Sequence, residues 1–153
     1  MATTDDKAVL LDTNVLLSAT TPSRRLHRAA LRVLNEWPNR GYILMASPQV
    51  LREYMVVASR PVEVNGLAQG MEVVLANIAA LRGRVRLLSE GGEVLDRLAD
   101  LIAVYGCVGK QIHDANVVAT ALAAGETKVM TDNLRDFSRF APEIEVIDLA
   151  TLP

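Results

Sequence analysis

The sequence predicts an α/β fold with a mostly parallel sheet of five strands and helices on both faces. Short apolar segments alternate along the chain with longer segments in which apolar residues recur at helical spacing. The first two short segments, AVLL and YILMA, contain no charged residue, which is typical of strands that are covered on both faces. A length of 153 residues without a linker or repeat fits one domain. We therefore expect residues 1–153 to form a single domain.

The strands are predicted from apolar segments of four or five residues that lie between helical patterns. An aspartate directly follows the first of these segments and another follows the fourth. Aspartate is depleted in strands, so both positions indicate strand ends. The predicted strands are residues 8–11, 42–46, 85–88, 128–131 and 145–149.

Six segments predict helices, most of them from apolar residues that recur every three or four positions. Ser47 and Pro48 open the third helix, as an N-cap followed by proline at the first helical position. Gly106 and Gly125 end the last two helices. The final helix is apolar nearly all round, so we expect it to be buried. The predicted helices are residues 14–18, 24–36, 47–59, 67–81, 89–106 and 113–125.

Charge and cysteine content restrict the classes of function. The formal net charge is −2, so any contact with nucleic acid has to be local rather than spread over the whole surface. Cys107 is the only cysteine, which excludes a disulfide within the chain and favours a cytoplasmic protein. The N-terminal segment lacks the basic region of a signal peptide, and no apolar segment is long enough to span a bilayer. We expect no membrane association.

A stripe of basic residues lies on one face of the second predicted helix. It consists of Arg25, Arg28 and Arg32. Such a stripe is most often a solvated surface. Beside an acidic site, the same side chains would hold phosphates. Both interpretations are open at the level of the sequence.

Four acidic residues follow or border elements that meet at one edge of the predicted sheet. Asp12 and Asp132 directly follow the first and fourth strands. Ligands of such sheets bind beyond the carboxyl ends of the strands. Glu53 borders the apolar face of the third helix, and Asp114 opens the last one. Each residue alone has a structural explanation, such as capping a helix, but their combination predicts a site.

Carboxylates at one sheet edge repel one another and raise each other's pKa unless a cation neutralises them. Ligands that are all oxygen favour hard cations such as Mg²⁺ and Mn²⁺. The sequence lacks the Cys and His spacing of zinc sites, the glycine motifs of nucleotide-binding loops and the GxSxG motif of serine hydrolases. A carboxylate metal site is therefore the main candidate.

Four motifs carry a family resemblance. They are LLDTNVLL near the N-terminus, SPQVLREYM around Glu53, HDANVVATALAAG around Asp114, and VMTDNLRDF late in the chain. Together the motifs resemble those of PIN-domain ribonucleases, in particular the VapC toxins of bacterial type II toxin–antitoxin modules. The resemblance implies a PIN-like parallel sheet and an Mg²⁺- or Mn²⁺-dependent endoribonuclease that hydrolyses RNA with metal-activated water.

The resemblance also assigns residues to the site. Asp12, Glu53 and Asp114 match the first three acidic residues of the family, as catalytic residues and metal ligands. For the fourth acidic position we expect Asp132. Asn133 and Asp136 compete with it, because the family's late motif has an Asp or Asn two residues after its Thr and an acid just before Phe, and Asp132 lies one position away from that spacing. Residues expected to support the ligands are Thr13, Asn14 and Thr131. The residues expected to bind RNA are those of the basic stripe, which helical spacing rather than the resemblance indicates: Arg25, Arg28 and Arg32.

Two protein partners are expected, and two other functions are open. The resemblance implies a cognate antitoxin protein, and the abundance of Ala, Val and Leu in the helices predicts a homodimer. One alternative is a PIN-like binding module without catalytic activity. Another is a phosphatase with Asp12 as nucleophile, although Asn14 stands where such enzymes place a second aspartate.

Overall fold

The computed structural model describes residues 7–153, and five parallel strands form one sheet in this part of the chain. The order across the sheet is β3-β2-β1-β4-β5. The strands are β1 (Ala8–Leu11), β2 (Ile43–Ala46), β3 (Arg86–Leu87), β4 (Lys128–Thr131) and β5 (Glu145–Asp148). All four residues of β1 are buried, so both faces of the central strand are covered. The predicted α/β fold with a parallel five-stranded sheet is confirmed.

The helices lie between the strands as the alternating pattern predicts. They are α1 (Thr13–Thr20), α2 (His27–Glu36), α3 (Pro48–Ser59), α4 (Met71–Arg82), α5 (Gly92–Tyr105), α6 (Gln111–Ala123) and α7 (Leu134–Phe137). α1 packs on α2, and α5 packs on α6. The side chain of Ser47 accepts a hydrogen bond from the backbone N–H of Val50, so the predicted N-cap of α3 is confirmed. None of these helices has both the length and the apolar character needed to cross a membrane.

Some element bounds differ from the sequence-based expectation. α2 begins at His27 rather than residue 24, and the short helix α7 lies in a segment where we predict none. α4 begins at Met71 rather than residue 67. The reason is local: Leu67 and Ala68 donate backbone hydrogen bonds to carbonyls in the last turns of α3, so this segment closes α3 instead of extending α4.

The strand order reverses beside β1, and this reversal positions the site. The chain passes from β1 outward through β2 to β3, and then crosses to β4 on the other side of β1. The backbone N–H of Asp12 donates a hydrogen bond to the carbonyl of Met130 over 2.9 Å, which holds the ends of β1 and β4 together. Ligand sites of parallel sheets lie at such a switch point, beyond the carboxyl ends of the strands.

Candidate active site

Asp12 lies at the carboxyl end of β1 and is buried, with 8% of its surface exposed. Its Oδ1 accepts a hydrogen bond from the backbone N–H of Thr13 over 2.8 Å and so caps α1. Its Oδ2 accepts a hydrogen bond from Oγ1 of Thr131 at the end of β4, over 3.0 Å. Helix capping therefore explains in part why an aspartate stands at the end of β1. A carboxylate oxygen has more than one lone pair, so both oxygens keep capacity for a further ligand.

Burial raises the pKa of Asp12 from its usual 3.8 to about 6. The negative charges of Glu53 and Asp132 add to this increase, whereas the hydrogen bonds from Thr13 and Thr131 oppose it. The charged form of Asp12 is thus destabilised by its surroundings, and a bound cation would relieve that cost.

Glu53 lies in the second turn of α3, and both of its carboxylate oxygens accept hydrogen bonds. Oε2 accepts one from Oγ1 of Thr13 over 3.1 Å, and Oε1 accepts one from Nε2 of Gln49 over 3.0 Å. Thr13 therefore contacts two of the predicted acidic residues, through its backbone N–H and through its hydroxyl. The predicted supporting role of Thr13 has a geometric basis in these contacts.

Gln49 joins α3 to α6 at the cleft, although none of the sequence motifs indicates a role for it. The side chain is buried, and its Nε2 also donates a hydrogen bond to the carbonyl of His113 over 2.9 Å. Its Oε1 accepts a hydrogen bond from Nδ2 of Asn116 over 2.7 Å. The i, i+4 spacing of Gln49 and Glu53 in a helix is the signal that could have indicated this contact.

Asp114 lies in the first turn of α6 and is half-buried at the same cleft. Its pKa is raised from 3.8 to about 7, chiefly by partial burial and also by the carboxylates of Asp12, Asp136 and Glu53, while Arg139 opposes the increase. These neighbours belong to β1, α3 and the late segment of the chain. The structure therefore brings the first three predicted acidic residues into one electrostatic group.

The late motif brings Asn133 and Asp136 to the cleft. The backbone N–H of Asn133 donates a hydrogen bond to Oγ1 of Thr131 over 2.9 Å, and its side-chain amide donates one to Oδ2 of Asp136. Both residues line the cleft. Of the three candidates for the fourth position, these two share the cleft with the other acidic residues.

Asp132 faces a neighbouring depression instead. This depression has a volume of about 230 Å³, and it is also lined by Ser18, Arg24 and Arg25. Arg24 Nη2 donates a hydrogen bond of 3.4 Å to Oδ1 of Asn14, which itself lines the cleft. The charge of Asp132 acts on Asp12, but its side chain is not among those that line the cleft.

The cleft has a volume of about 640 Å³ and combines acidic, basic and apolar side chains. Its basic side chains lie on α3, at the end of α3 and at the start of α6, and none of them belongs to the basic stripe predicted from the sequence. They are Arg52, Arg60, Lys110 and His113. An apolar part of the wall is formed by Val56 and Val57 of α3.

The predicted basic stripe lies elsewhere. Arg25, Arg28 and Arg32 are all exposed, and none of them lines the cleft. Arg25 borders the depression that contains Asp132, and Arg32 borders a small pocket with Trp37 near the end of α2. Because α2 begins at His27, Arg25 precedes the helix, and only Arg28 and Arg32 lie on it; the stripe as a whole lies outside the cleft.

The donors at the cleft suit a hard divalent cation. Carboxylates that directly follow β1 or lie on α3, α6 and α7 border one space, and oxygen is the ligand that Mg²⁺ and Mn²⁺ prefer. Within residues 7–153, no three Asp, Glu, His or Cys side chains lie close enough together to hold a metal ion as they stand. The residues fit a metal by the chemistry of their oxygen donors and by the cleft that they share.

Comparisons with known proteins identify the fold. The family model described as PIN domain matches residues 9–142. A search of curated protein sequences finds no match. Solved structures with the same fold include several toxin–antitoxin proteins.

One is VapBC2 from Rickettsia felis, bound to a DNA fragment from its promoter, with a TM-score of 0.67 and 17% identity, covering 92% of this chain and 98% of that chain. A second is VapBC-1 from nontypeable Haemophilus influenzae, with a TM-score of 0.66 and 21% identity over 94% of this chain and 99% of that chain. A third is VapC20 from Mycobacterium tuberculosis, a toxin that cleaves the sarcin-ricin loop, with a TM-score of 0.61 and 17% identity over 79% and 86% of the two chains. At these identities the likeness concerns the fold.

Proposed function

Because this chain belongs to the PIN-domain family, we propose that it is a metal-dependent endoribonuclease and the toxin of a type II toxin–antitoxin module. One observation carries the proposal: acidic side chains from four separate elements border a single cleft at the switch point of the sheet. Their order along the chain, Asp12, Glu53, Asp114 and Asp136, follows the motifs that the sequence shares with the family.

The proposed cofactor is Mg²⁺ or Mn²⁺, with Asp12 and Asp114 as principal ligands. Glu53 and Asp136 border the same space and would complete the site, and the shared cleft favours Asp136 over Asp132 for the fourth position. When bound, such a cation lowers the pKa of a water molecule and neutralises charge that develops on the phosphodiester.

The protein's own residues position the reacting groups. Thr13 and Gln49 fix both oxygens of Glu53, so this carboxylate is a preoriented acceptor for the attacking water. Thr131 holds Asp12, and Asn133 holds Asp136. Attack by water on the phosphorus, in line with the leaving 3′ oxygen, would produce a 5′-phosphate and a 3′-hydroxyl.

RNA and an antitoxin are the proposed partners. Among the structures with this fold, VapC20 is a toxin that cleaves the sarcin-ricin loop, and others are VapBC complexes. These are properties of those proteins, and we extend to this chain only the two partner classes. A cytoplasmic location accords with both partners and with a single cysteine.

A homodimer is proposed from the exposed apolar side chains of α4 and of the turn before it. α4 buries only Val74 and Leu81, while its Met71, Val73 and Leu75 are each at least half exposed. Further exposed valines lie on the turn after α3, at Val62 and Val64. Exposed apolar side chains in this number are commonly covered by a symmetric partner.

The direct test of the reaction class uses total bacterial RNA. After incubation with Mg²⁺ or with a chelator, sequencing of 5′-phosphorylated ends should show new ends at defined positions only in the Mg²⁺ sample. RNA binding without new ends would support the binding module instead. Hydrolysis of a small phosphate ester with phosphorylation of Asp12 would support the phosphatase.

A further inference from the structure

Three cationic side chains line the cleft beside the acidic residues. Arg52 and Arg60 lie on α3 and at its C-terminal end, and Lys110 immediately precedes α6. Arg52, Val56 and Arg60 are four residues apart, so they follow one face of α3. We name Arg52, Arg60 and Lys110 the basic wall.

The position of Arg60 is fixed by the loop after α3. Its Nη2 donates a hydrogen bond to the carbonyl of Asn65 over 3.2 Å, and Gly66 packs directly on its backbone. A side-chain carbon at Gly66 would lie 1.9 Å from the carbonyl oxygen of Arg60, so this close approach requires glycine. The Nε of Arg60 is buried and has no hydrogen-bond partner within the described residues. A guanidinium has five N–H donors, so Arg60 retains several for a ligand.

The other two cations differ in their partners. Arg52 Nη2 lies 3.6 Å from Glu90 Oε2, and most of the Arg52 side chain is exposed. Lys110 is exposed, and neither it nor Arg60 forms an ion pair in the part of the chain that the structure describes. The N-terminus of α6 beside Lys110 adds a partial positive charge. This wall therefore attracts anions, in contrast to the acidic floor next to it.

We infer that the basic wall binds backbone phosphates of RNA next to the phosphate that is cleaved, an inference that rests on the proposed function. Arg60 lies seven residues beyond Glu53, which is about 10 Å along the helix axis. At that distance it contacts a neighbouring phosphate rather than the reacting one. The exposed side chain of Val56 between Arg52 and Arg60 offers an apolar contact for a ribose or base.

RNA bound at the basic wall would lie in the cleft rather than along the stripe on the surface of the molecule. The stripe of Arg25, Arg28 and Arg32 lies outside the cleft, whereas the basic wall is part of it. A basic segment of a protein partner would be repelled by this wall, so the charge favours RNA as its ligand.

The test measures the affinity of the full-length protein for a fluorescent single-stranded RNA in chelator, at a series of salt concentrations. Each lost phosphate contact should flatten the slope of log Kd against log salt by about 0.7. We expect this change for Arg60→Ala and for Lys110→Ala, and Arg60→Lys should restore most of the slope. Arg97→Ala is the matched control, since this exposed arginine on α5 lies outside the cleft, and it should leave the slope unchanged.

The variants distinguish a failure of this inference from a failure of the proposed function. Loss of the Arg60 contact to Asn65 could disturb the loop, so melting temperatures are compared, and Lys110→Ala provides a variant without such a contact. Unchanged slopes in both Arg60→Ala and Lys110→Ala, with RNA binding and cleavage intact in the wild type, would overturn this inference alone. A wild type that neither binds nor cleaves RNA would overturn it together with the proposed function. Weaker binding of a protein partner with unaltered RNA binding would also overturn it.

Discussion

The hydroxyl of Thr131 donates a hydrogen bond to Asp12 Oδ2 over 3.0 Å and thereby joins the carboxyl ends of β1 and β4. The same hydroxyl accepts a hydrogen bond from the backbone N–H of Asn133 over 2.9 Å. Because Asp12 can accept the hydroxyl proton and the N–H of Asn133 cannot, the direction of both hydrogen bonds is fixed. One side chain therefore orients Asp12 and the start of the late motif.

Replacement of Thr131 by valine tests this role. Thr131→Val keeps the shape but removes the donor, and we expect a loss of roughly 10- to 100-fold in metal affinity or RNA cleavage, as is usual when a residue that orients a ligand is removed. Thr120→Val is the matched control, since Thr120 is also buried but donates to the backbone carbonyl of Asn116 in α6. Equal effects of the two substitutions on cleavage would show that Thr131 has only a packing role.

The acidic cluster also predicts a specific pH dependence of stability without metal. The folded protein holds protons on Asp12 up to a pKa of about 6 and on Asp114 up to about 7, whereas both ordinarily lose them near 3.8. The folded state binds more protons in this range, so these groups make the free energy of unfolding fall as pH rises from about 4 to about 7. Mg²⁺ should therefore raise the melting temperature more at pH 8 than at pH 5.

Asp114→Asn should raise the melting temperature at pH 8 in chelator and reduce the shift caused by Mg²⁺. Asp96→Asn, an exposed aspartate on α5, serves as the control and should change neither quantity. Thermal unfolding followed by fluorescence measures both. A Mg²⁺ shift in Asp114→Asn as large as in the wild type would remove Asp114 from the proposed ligands.

The fourth acidic position can be assigned by comparing two aspartates four residues apart. Asp136 lines the cleft, and Asn133 donates a hydrogen bond to it, while Asp132 lines the neighbouring depression with Arg25. We expect Asp136→Asn to reduce RNA cleavage by at least about tenfold, since it removes a charge near the metal. Asp132→Asn should retain most of the activity. A larger loss of RNA cleavage in Asp132→Asn than in Asp136→Asn would assign the fourth acidic position to Asp132.

The sequence contains enough information for the fold and for three of the acidic positions. Strand ends are marked by aspartates at Asp12 and Asp132, and the buried helix that begins near Asp114 is visible in its apolar pattern. These signals are local, since each depends on a few neighbouring residues. These local signals are sufficient to predict a shared site because the carboxyl ends of parallel strands lie at the same edge of a sheet.

The supporting contacts could not be predicted because they depend on side-chain directions across elements. Gln49 donates to Glu53 within α3 but also contacts His113 and Asn116 of α6, more than 60 residues away in the sequence. Likewise, helical spacing indicates an arginine stripe on α2, but it does not reveal that this stripe lies outside the cleft. Arg60 lines the cleft, and its side chain is held there by a hydrogen bond to the carbonyl of Asn65 in the loop after α3, a contact that helical spacing does not reveal.

The oligomeric state is tested at the exposed face of α4. Light scattering at micromolar concentration should give the mass of a dimer for the wild type. Leu75→Glu places a charge in the proposed apolar contact and should shift the protein to a monomer. Leu95→Glu is the control, because Leu95 is equally apolar and exposed but lies on α5. A monomeric wild type would contradict the proposed homodimer.

The measurement that tests the central claim most directly is metal-dependent cleavage of RNA by the wild type and by Asp114→Asn, with Asp96→Asn as control. Asp114→Asn keeps the shape of the side chain and removes the charge that a divalent cation needs. We predict cleavage with Mg²⁺ or Mn²⁺ by the wild type and by Asp96→Asn, no cleavage in chelator, and no cleavage by folded Asp114→Asn. Cleavage by Asp114→Asn at the wild-type rate, or cleavage that persists in chelator, would contradict a carboxylate metal site as the centre of the reaction.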